Sequence, residues 1–484
     1  MEKTSITRLE KIAIISILLL GAFLRLYKID QYMTFLGDEG RDALVMKGIV
    51  ALKHFPAIGP GTSIGNMYLG PLYYYLAAPS LALFNLSPVG PAVFVALLGL
   101  LTVALLWWIS RSWFGRWPGL TVSALYALSP TVIIYSRSSW NPNIMAFFAL
   151  LTMYGVWNIW RFSRWRWLII SAVSFAFVLN SHYLGFLLLP TILLFLFLSS
   201  DKKSNKKYWL MGFGILILLM SPLVIFDLRH GWQNYSSMKT FFTDRQTTVN
   251  FKVYKAVPNL WPIWQDMATS LLAGKNSLVG KWAAFGLFDL AILYAIRRRL
   301  SPAAWFVISW LGFGLIGLGL YKQHIYDHYY GFIFPAIFLL LGFVLNQLFQ
   351  KTKLAFMGIL LVLPLFFVSL QNNPFRNSPN NQLARTIEIA NFIKSQSQNS
   401  PFNLALLAKN NYDASYRYFM QLNDAPYYTI HDKLTDQLFV ICEQSDCEPI
   451  NNPLWEIAAF GWSKIDQEWT FPWGVKVLRL VHNI

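Results

Sequence analysis

"FLGDEGRDALV", residues 35–45, places three carboxylates (Asp38, Glu39, Asp42) and one guanidinium (Arg41) within five positions. It follows closely on the apolar run "IAIISILLLGAFL" (12–24), which with its flanks is long enough to cross a bilayer as a helix. Lys3, Arg8 and Lys11 before that run give it the look of a secretory leader, but no small-x-small cleavage site follows and the chain continues "RLYKID". An uncleaved anchor is the expectation. The charged run then lies just outside a first membrane span. Two explanations compete there. Acids in the first turn of a helix satisfy free amides and offset the macrodipole, and "DEGRDALVMKGIVAL" reads as an amphipathic helix. Alternatively, a carboxylate at a membrane surface can serve as a base.

Composition favours a membrane setting. Of 484 residues, 55% are hydrophobic, 17% aromatic and only 13% charged, with mean hydropathy +0.43. Soluble domains carry about a quarter charged residues, so a polytopic membrane protein is indicated. A net charge of +17 would suggest nucleic acid in a soluble protein. Here the basic residues sit in short loops between apolar runs, the pattern of cytoplasmic loops, and no nucleic-acid partner is expected. Cys442 and Cys447 are the only cysteines. They are too few for a zinc site, and a local disulfide and two free thiols both fit.

Eleven apolar segments of spanning length begin near residues 10, 89, 118, 142, 167, 183, 208, 282, 302, 329 and 354. Arg111 with Arg116, Arg161 with Arg164 and Arg166, Lys202, Lys203, Lys206 and Lys207, Arg297 to Arg299, and Lys351 with Lys353 mark five loops as cytoplasmic. They alternate consistently with a cytoplasmic N-terminus if "GPLYYYLAAPSLALF" (70–84), interrupted by Pro71 and Pro79, does not cross. An interfacial or re-entrant outer helix suits its consecutive tyrosines. Residues 167–198 read as two short spans broken at "LNSHYLG", with Asn180, Ser181 and His182 at the outward turn. From residue 372 the chain turns polar. Residues 381–395 and "YDASYRYFMQL" look helical, "FNLALLA" and "QLFVIC" look like strands, and "DQEWTF" with "VKVLRLV" suggests a hairpin. The expected organisation is an all-α membrane domain over 1–371, with a first outer loop 28–88, and a small α/β extracytoplasmic domain over 372–484.

The polar residues that could do chemistry fall on the outer side: the 38–42 group, Arg137, Asn141, His182, Arg229, His230, Lys322, His324, Asp327 and His328. Sugar transfer from a lipid phosphate needs a base for the acceptor hydroxyl, and donors or cations to hold the departing phosphate. It also needs an apolar wall for the lipid tail, which "GPLYYYLAAP" supplies. Simpler roles exist for single residues: Arg137 as a snorkelling interfacial anchor, His182 as a structural histidine.

The ordered set "DEGRDA", "GPLYYYL" with "GPAVFVALLGLLTVALLWW", "FGRWPGLTVSALYALSP", "YSRSSWNPNIMAFFAL", "NSHYLGFLLLP" and "DHYYGFIFPAIFLLLG" covers most of the first 350 residues. In that order it resembles the glycosyltransferase family 39 and aminoarabinose-transferase group of the GT-C class. The resemblance implies a GT-C fold of about eleven transmembrane helices plus interfacial helices. It also implies transfer of a monosaccharide from a polyprenyl-phosphate donor to a lipid, glycan or protein acceptor, by single displacement with inversion. Asp38 falls on the proposed base and Glu39 beside it. Arg41, Asp42, Tyr73, Tyr74, Arg137, Asn141, His182, His324 and His328 are the implied phosphate and sugar contacts. The expected location is the cell (cytoplasmic) membrane, multi-pass, with the tail outside.

Three departures stand out. Asn141-Pro142 replaces Asp-Pro, Leu69-Gly70-Pro71 replaces the metal-binding Glu-Lys-Pro, and His182 replaces a lysine. They argue against aminoarabinose specificity and lead to the expectation that no metal or other cofactor is needed, a divalent ion at His324, Asp327 and His328 staying open. The alternative from another class is a membrane transporter or lipid flippase, which more often shows pseudo-repeats and mid-membrane charges. A ligase using a diphosphate-linked glycan shares the site logic.

Overall fold

The helix Arg8–Leu26 begins where Thr7 Oγ1 accepts the amide of Glu10 at 3.3 Å. The computed structural model describes residues 5–62, 67–200, 205–243, 248–250, 252–297, 300–350, 352–444 and 447–483. Lys3, Lys202, Lys203, Arg298, Arg299 and Lys351 lie outside the described residues. The chain divides into two compact units: Met1–Tyr27, Phe55–Ser80 and Gly90–Ser378 form one, and Lys28–His54, Leu81–Val89 and Pro379–Ile484 form the other.

The first unit is helical. Val89–Phe114, Asn141–Phe162, Lys206–Arg229, Ser277–Ile296, Pro302–Leu320 and Lys353–Arg376 are long and apolar enough to cross a membrane. Trp167–Ser181, Tyr183–Phe197 and Phe334–Phe349 are shorter apolar helices. With Arg8–Leu26 and Arg116–Leu128, each expected span corresponds to a helix. Their outer faces are apolar: in Lys206–Arg229, Leu210, Phe213 and Leu218 are all more than 60% exposed. A continuous apolar face of this extent requires lipid, and the chain is a membrane protein. Phe334–Phe349 lies inside the unit, with Ala336 to Leu345 all buried. Near the N-terminus, Glu10, 1% exposed, accepts Arg111 Nη2 at 3.2 Å and also pairs with Arg111 Nε.

The segment 70–84 forms the helix Leu72–Leu83 with Pro79 inside it. The 167–198 pair breaks as the pattern suggests. Trp167–Ser181 ends at His182, whose backbone is extended, and a 3-10 turn Tyr183–Leu188 leads into Leu189–Phe197. Between the spans that begin near residues 208 and 282, where the sequence offered no apolar run of spanning length, lie two further helices, Gln233–Thr243 and Val257–Leu271. The second buries Ile263, Trp264, Met267 and Leu271 on one face against Ser277–Ile296 and Pro302–Leu320. Its Asn259, Gln265 and Asp266 keep it below spanning hydropathy, which hid it among loop residues.

The second unit contains the sheet β1 (Asn403–Leu407), β2 (Gln437–Cys442), β3 (Ser463–Thr470) and β4 (Lys476–His482), in the order β1-β2-β4-β3. β1 and β2 pair in parallel and are buried throughout, so both read as continuous apolar runs. β3 and β4 form the antiparallel hairpin, and β3 is an edge strand carrying Lys464, Asp466 and Glu468 outward. Ala405, Leu438, Val440, Ile457, Phe460 and Leu480 form the core of one face. Cys442 and Cys447 are joined as a disulfide, with their Cα atoms 5.9 Å apart.

Helix Gly37–Val50 packs on helix Ala414–Leu422 of this unit. At Gly40 the approach is so close that a Cβ would come within 2.3 Å of the Ser415 backbone. The Phe35 ring meets those of Tyr418 and Phe419 at 6.3 and 5.7 Å. Residues 28–54, which follow the first span in sequence, therefore fold with the chain's last hundred residues.

Candidate functional site

In the second unit the charged run opens the helix Gly37–Val50, and its acids have separate surroundings. Glu39 is 6% exposed and turns back so that Oε2 accepts the Leu36 amide at 3.0 Å, satisfying one free donor of the helix start. The next amide, that of Gly37, is taken by Asn411 Oδ1 at 2.8 Å. Capping is thus done by Glu39 and Asn411, which leaves Asp38 for other work. Burial pushes the Glu39 carboxyl up to about 7; the Leu36 hydrogen bond opposes this and the charges of Asp38 and Asp42 add to it.

Asp38 keeps a side chain 40% exposed. Its Oδ1 accepts Arg41 Nη1 at 2.8 Å and the Tyr412 hydroxyl at 2.9 Å. Arg41 bridges to Asp42 as well, with Nε and Nη2 on Oδ1 at 3.0 and 2.8 Å. Asp42 is fully buried. The Arg41 guanidinium is therefore shared between two carboxylates, and its position orients Asp38. Sequence reasoning missed Tyr412 and Asn411. "NNYDASYRY" signalled only the start of a helix, and no local pattern reports a contact across 374 residues.

In the first unit several expected residues come together. Asn180 Oδ1 accepts the Leu72 amide at 3.3 Å, and Gly70 packs so closely on Asn180 that no Cβ fits between them. Tyr73 and Tyr74 are both buried, and the Tyr73 hydroxyl pairs with Ser139 Oγ at 2.7 Å. Asn141 Nδ2 donates to the Ser181 carbonyl at 2.7 Å, tying the 141–144 turn to the broken pair. Half-buried His182 uses Nδ1 to accept the Leu184 amide at 3.1 Å, so its ring is neutral with the proton on Nε2. Its ring lies 4.6 Å from Tyr329 and 6.3 Å from His328, which itself packs on Trp140 at 4.5 Å. Trp140 and Tyr329 are members of this cluster that the sequence reading did not name.

His324 is exposed at the edge of this cluster, its ring 4.4 Å from that of Tyr326, which stacks on His328 at 5.7 Å. Arg137, 2% exposed, donates Nη1 to the Leu24 carbonyl at 3.0 Å and Nη2 to the Tyr27 carbonyl at 2.7 Å, and stacks 4.7 Å over Phe375. It thus satisfies carbonyls that the end of helix Arg8–Leu26 leaves without intrahelical partners. Asp327 is held by Lys275 at 2.7 Å and by Ser270 at 2.8 Å. Among the described residues no three His, Cys, Asp or Glu side chains gather as a metal site would require.

Residues 69–226 match the model of the family described as dolichyl-phosphate-mannose-protein mannosyltransferase. No curated protein sequence matches the chain. Among solved structures, ArnT from Cupriavidus metallidurans bound to undecaprenyl phosphate matches with a TM-score of 0.59 at 13% identity, over 97% of each chain. The oligosaccharyltransferase AglB of Archaeoglobus fulgidus, in complex with an inhibitory peptide and a dolichol-phosphate, matches with 0.53 at 13% identity, over 87% of this chain and 64% of its own. The arabinofuranosyltransferase AftD from Mycobacteria matches with 0.57 at 12% identity, over 99% of this chain and 40% of its own. The fold is that of the GT-C membrane glycosyltransferases, as the sequence suggested. None of these matches is to a transporter or flippase.

Proposed function

We propose that the chain transfers a monosaccharide from a polyprenyl-phosphate donor to a lipid, glycan or protein acceptor at the extracytoplasmic face of the cell membrane, with inversion at the anomeric carbon. Asp38 takes the proton of the acceptor hydroxyl. The acceptor oxygen then bonds to the anomeric carbon as the bond from that carbon to the phosphate oxygen breaks, and polyprenyl phosphate leaves with the electron pair. Neutral donors suit the departing phosphate: the Nε2–H of His182 and the hydroxyls of Tyr73 and Tyr74. Arg41 and Asp42 orient Asp38, and Arg137 serves the helix end that it caps.

The observation that carries this reading is the state of Asp38. It is partly exposed, and both donors that reach it within its unit fall on Oδ1, so Oδ2 is the oxygen available for a proton. The match of residues 69–226 to the mannosyltransferase family and the shared fold support the donor class. Purified protein incubated with a panel of polyprenyl-phosphate sugars and a membrane-lipid acceptor extract should release polyprenyl phosphate from at least one donor. Release from none, with the protein folded, would overturn the reading.

A further inference from the structure

We propose that Tyr412, in the C-terminal part of the chain, is a positioning residue for Asp38, so that the polar tail supplies part of the catalytic machinery. The inference rests on the reading of Asp38 as the base.

Tyr412 donates its hydroxyl to Asp38 Oδ1 at 2.9 Å, on the same oxygen as Arg41, and Arg41 Nη1 also reaches the Tyr412 oxygen at 3.2 Å. The three groups form a closed triangle. Its effect is to fix the carboxylate rotation: two donors on Oδ1 turn Oδ2 away from them, where a bare exposed carboxylate would rotate freely. Burial holds the Tyr412 phenol well above its usual range, with Arg41 opposing and Asp38 adding to the rise, so it stays a donor.

The position of Tyr412 is set in turn. Asn411 Oδ1 accepts the Tyr412 amide at 2.9 Å and the Gly37 amide at 2.8 Å, joining the start of one helix to the approach of the other. Asn411 Nδ2 donates to Glu443 Oε2 at 2.9 Å, and Tyr416 donates to Glu443 Oε1 at 2.6 Å. Glu443 directly follows the last residue of β2, so the sheet registers both Tyr412 and the helix that bears Asp38. Gly37 completes the fit, since a Cβ there would sit within 2.6 Å of the Tyr412 ring. A tyrosine serving only as packing would use its ring alone; here the hydroxyl is directed at the carboxylate.

The test uses full-length protein as wild type, Tyr412→Phe, Asp38→Asn and the double variant, with transfer rates and donor KM measured for each. Tyr412→Phe keeps the ring against Gly37 and removes only the hydroxyl. It should lower kcat about tenfold, the scale of one hydrogen bond to a charged group, with donor KM unchanged. In the Asp38→Asn background it should lower kcat less than twofold, because a positioning role vanishes with the base it serves. A structural role would instead multiply through both backgrounds, and that result overturns the inference even if Tyr412→Phe melts early. Wild-type kcat for Tyr412→Phe overturns it as well, while leaving the function intact provided Asp38→Asn is slow. Asp38→Asn transferring at the wild-type rate overturns the base assignment itself, and the inference with it.

Discussion

Replacing Glu39 by Gln should make the protein more stable above neutral pH while leaving transfer nearly unchanged. Glu39 is 6% exposed, and its carboxyl is raised from 4.5 to about 7 mainly by burial. Between those values the folded state holds a proton that the unfolded chain has released, so folding binds protons and stability falls as pH rises. Stability is full below about 4.5 and is lost as pH climbs through about 7. Above that the ionised form has cost on the order of 3 kcal/mol, at 1.36 kcal/mol per pH unit. Gln keeps an oxygen for the Leu36 amide and cannot ionise. Melting of detergent-solubilised wild type and Glu39→Gln would be compared from pH 4.5 to 8. The curves should nearly coincide at the acid end and separate by about 3 °C by pH 8, at about 1 °C per kcal/mol for a chain of this length. A difference independent of pH would show that Glu39 does not titrate in this window and would refute the reasoning.

Three further outcomes follow from the packing and the charge pattern. Glu10→Ala leaves Arg111 and Arg116 facing a buried gap and should cost about 3–5 kcal/mol, read as a lowered melting point. Gly40→Ala drives a methyl to within 2.3 Å of the Ser415 backbone and should cost up to about 3 kcal/mol, with transfer falling too as Tyr412 separates from Asp38. A cysteine replacing exposed Trp462 should react with an impermeant thiol reagent in intact cells, and one replacing exposed Arg164 should not, the native pair being silent as a disulfide.

The sequence revealed what depends on local pattern and hid what depends on distant contact. The spans, the break at His182 and the strands Asn403–Leu407 and Gln437–Cys442 are legible because lipid or covering helices demand unbroken apolar runs. Val257–Leu271 escaped because one buried face does not raise average hydropathy. At the site, the 38–42 run announced charge but not its division of labour: Glu39 caps, Asp42 is buried under Arg41, and of the three acids Asp38 keeps exposure. Arg137 showed a similar limit. The helix-end carbonyls that occupy it come from residues 24 and 27, more than a hundred positions earlier. Tyr412 gave no signal at all, since its partner lies 374 positions earlier.

The central claim, that Asp38 is the base in transfer from a polyprenyl-phosphate sugar, is tested most directly by single-turnover transfer with Asp38→Asn under saturating donor. Asparagine keeps the size of the side chain and an oxygen for Arg41 and Tyr412, but cannot take a proton. The account predicts unchanged donor binding and transfer slowed by about 10²–10⁴-fold. Transfer at the wild-type rate by a variant that binds donor normally would contradict it.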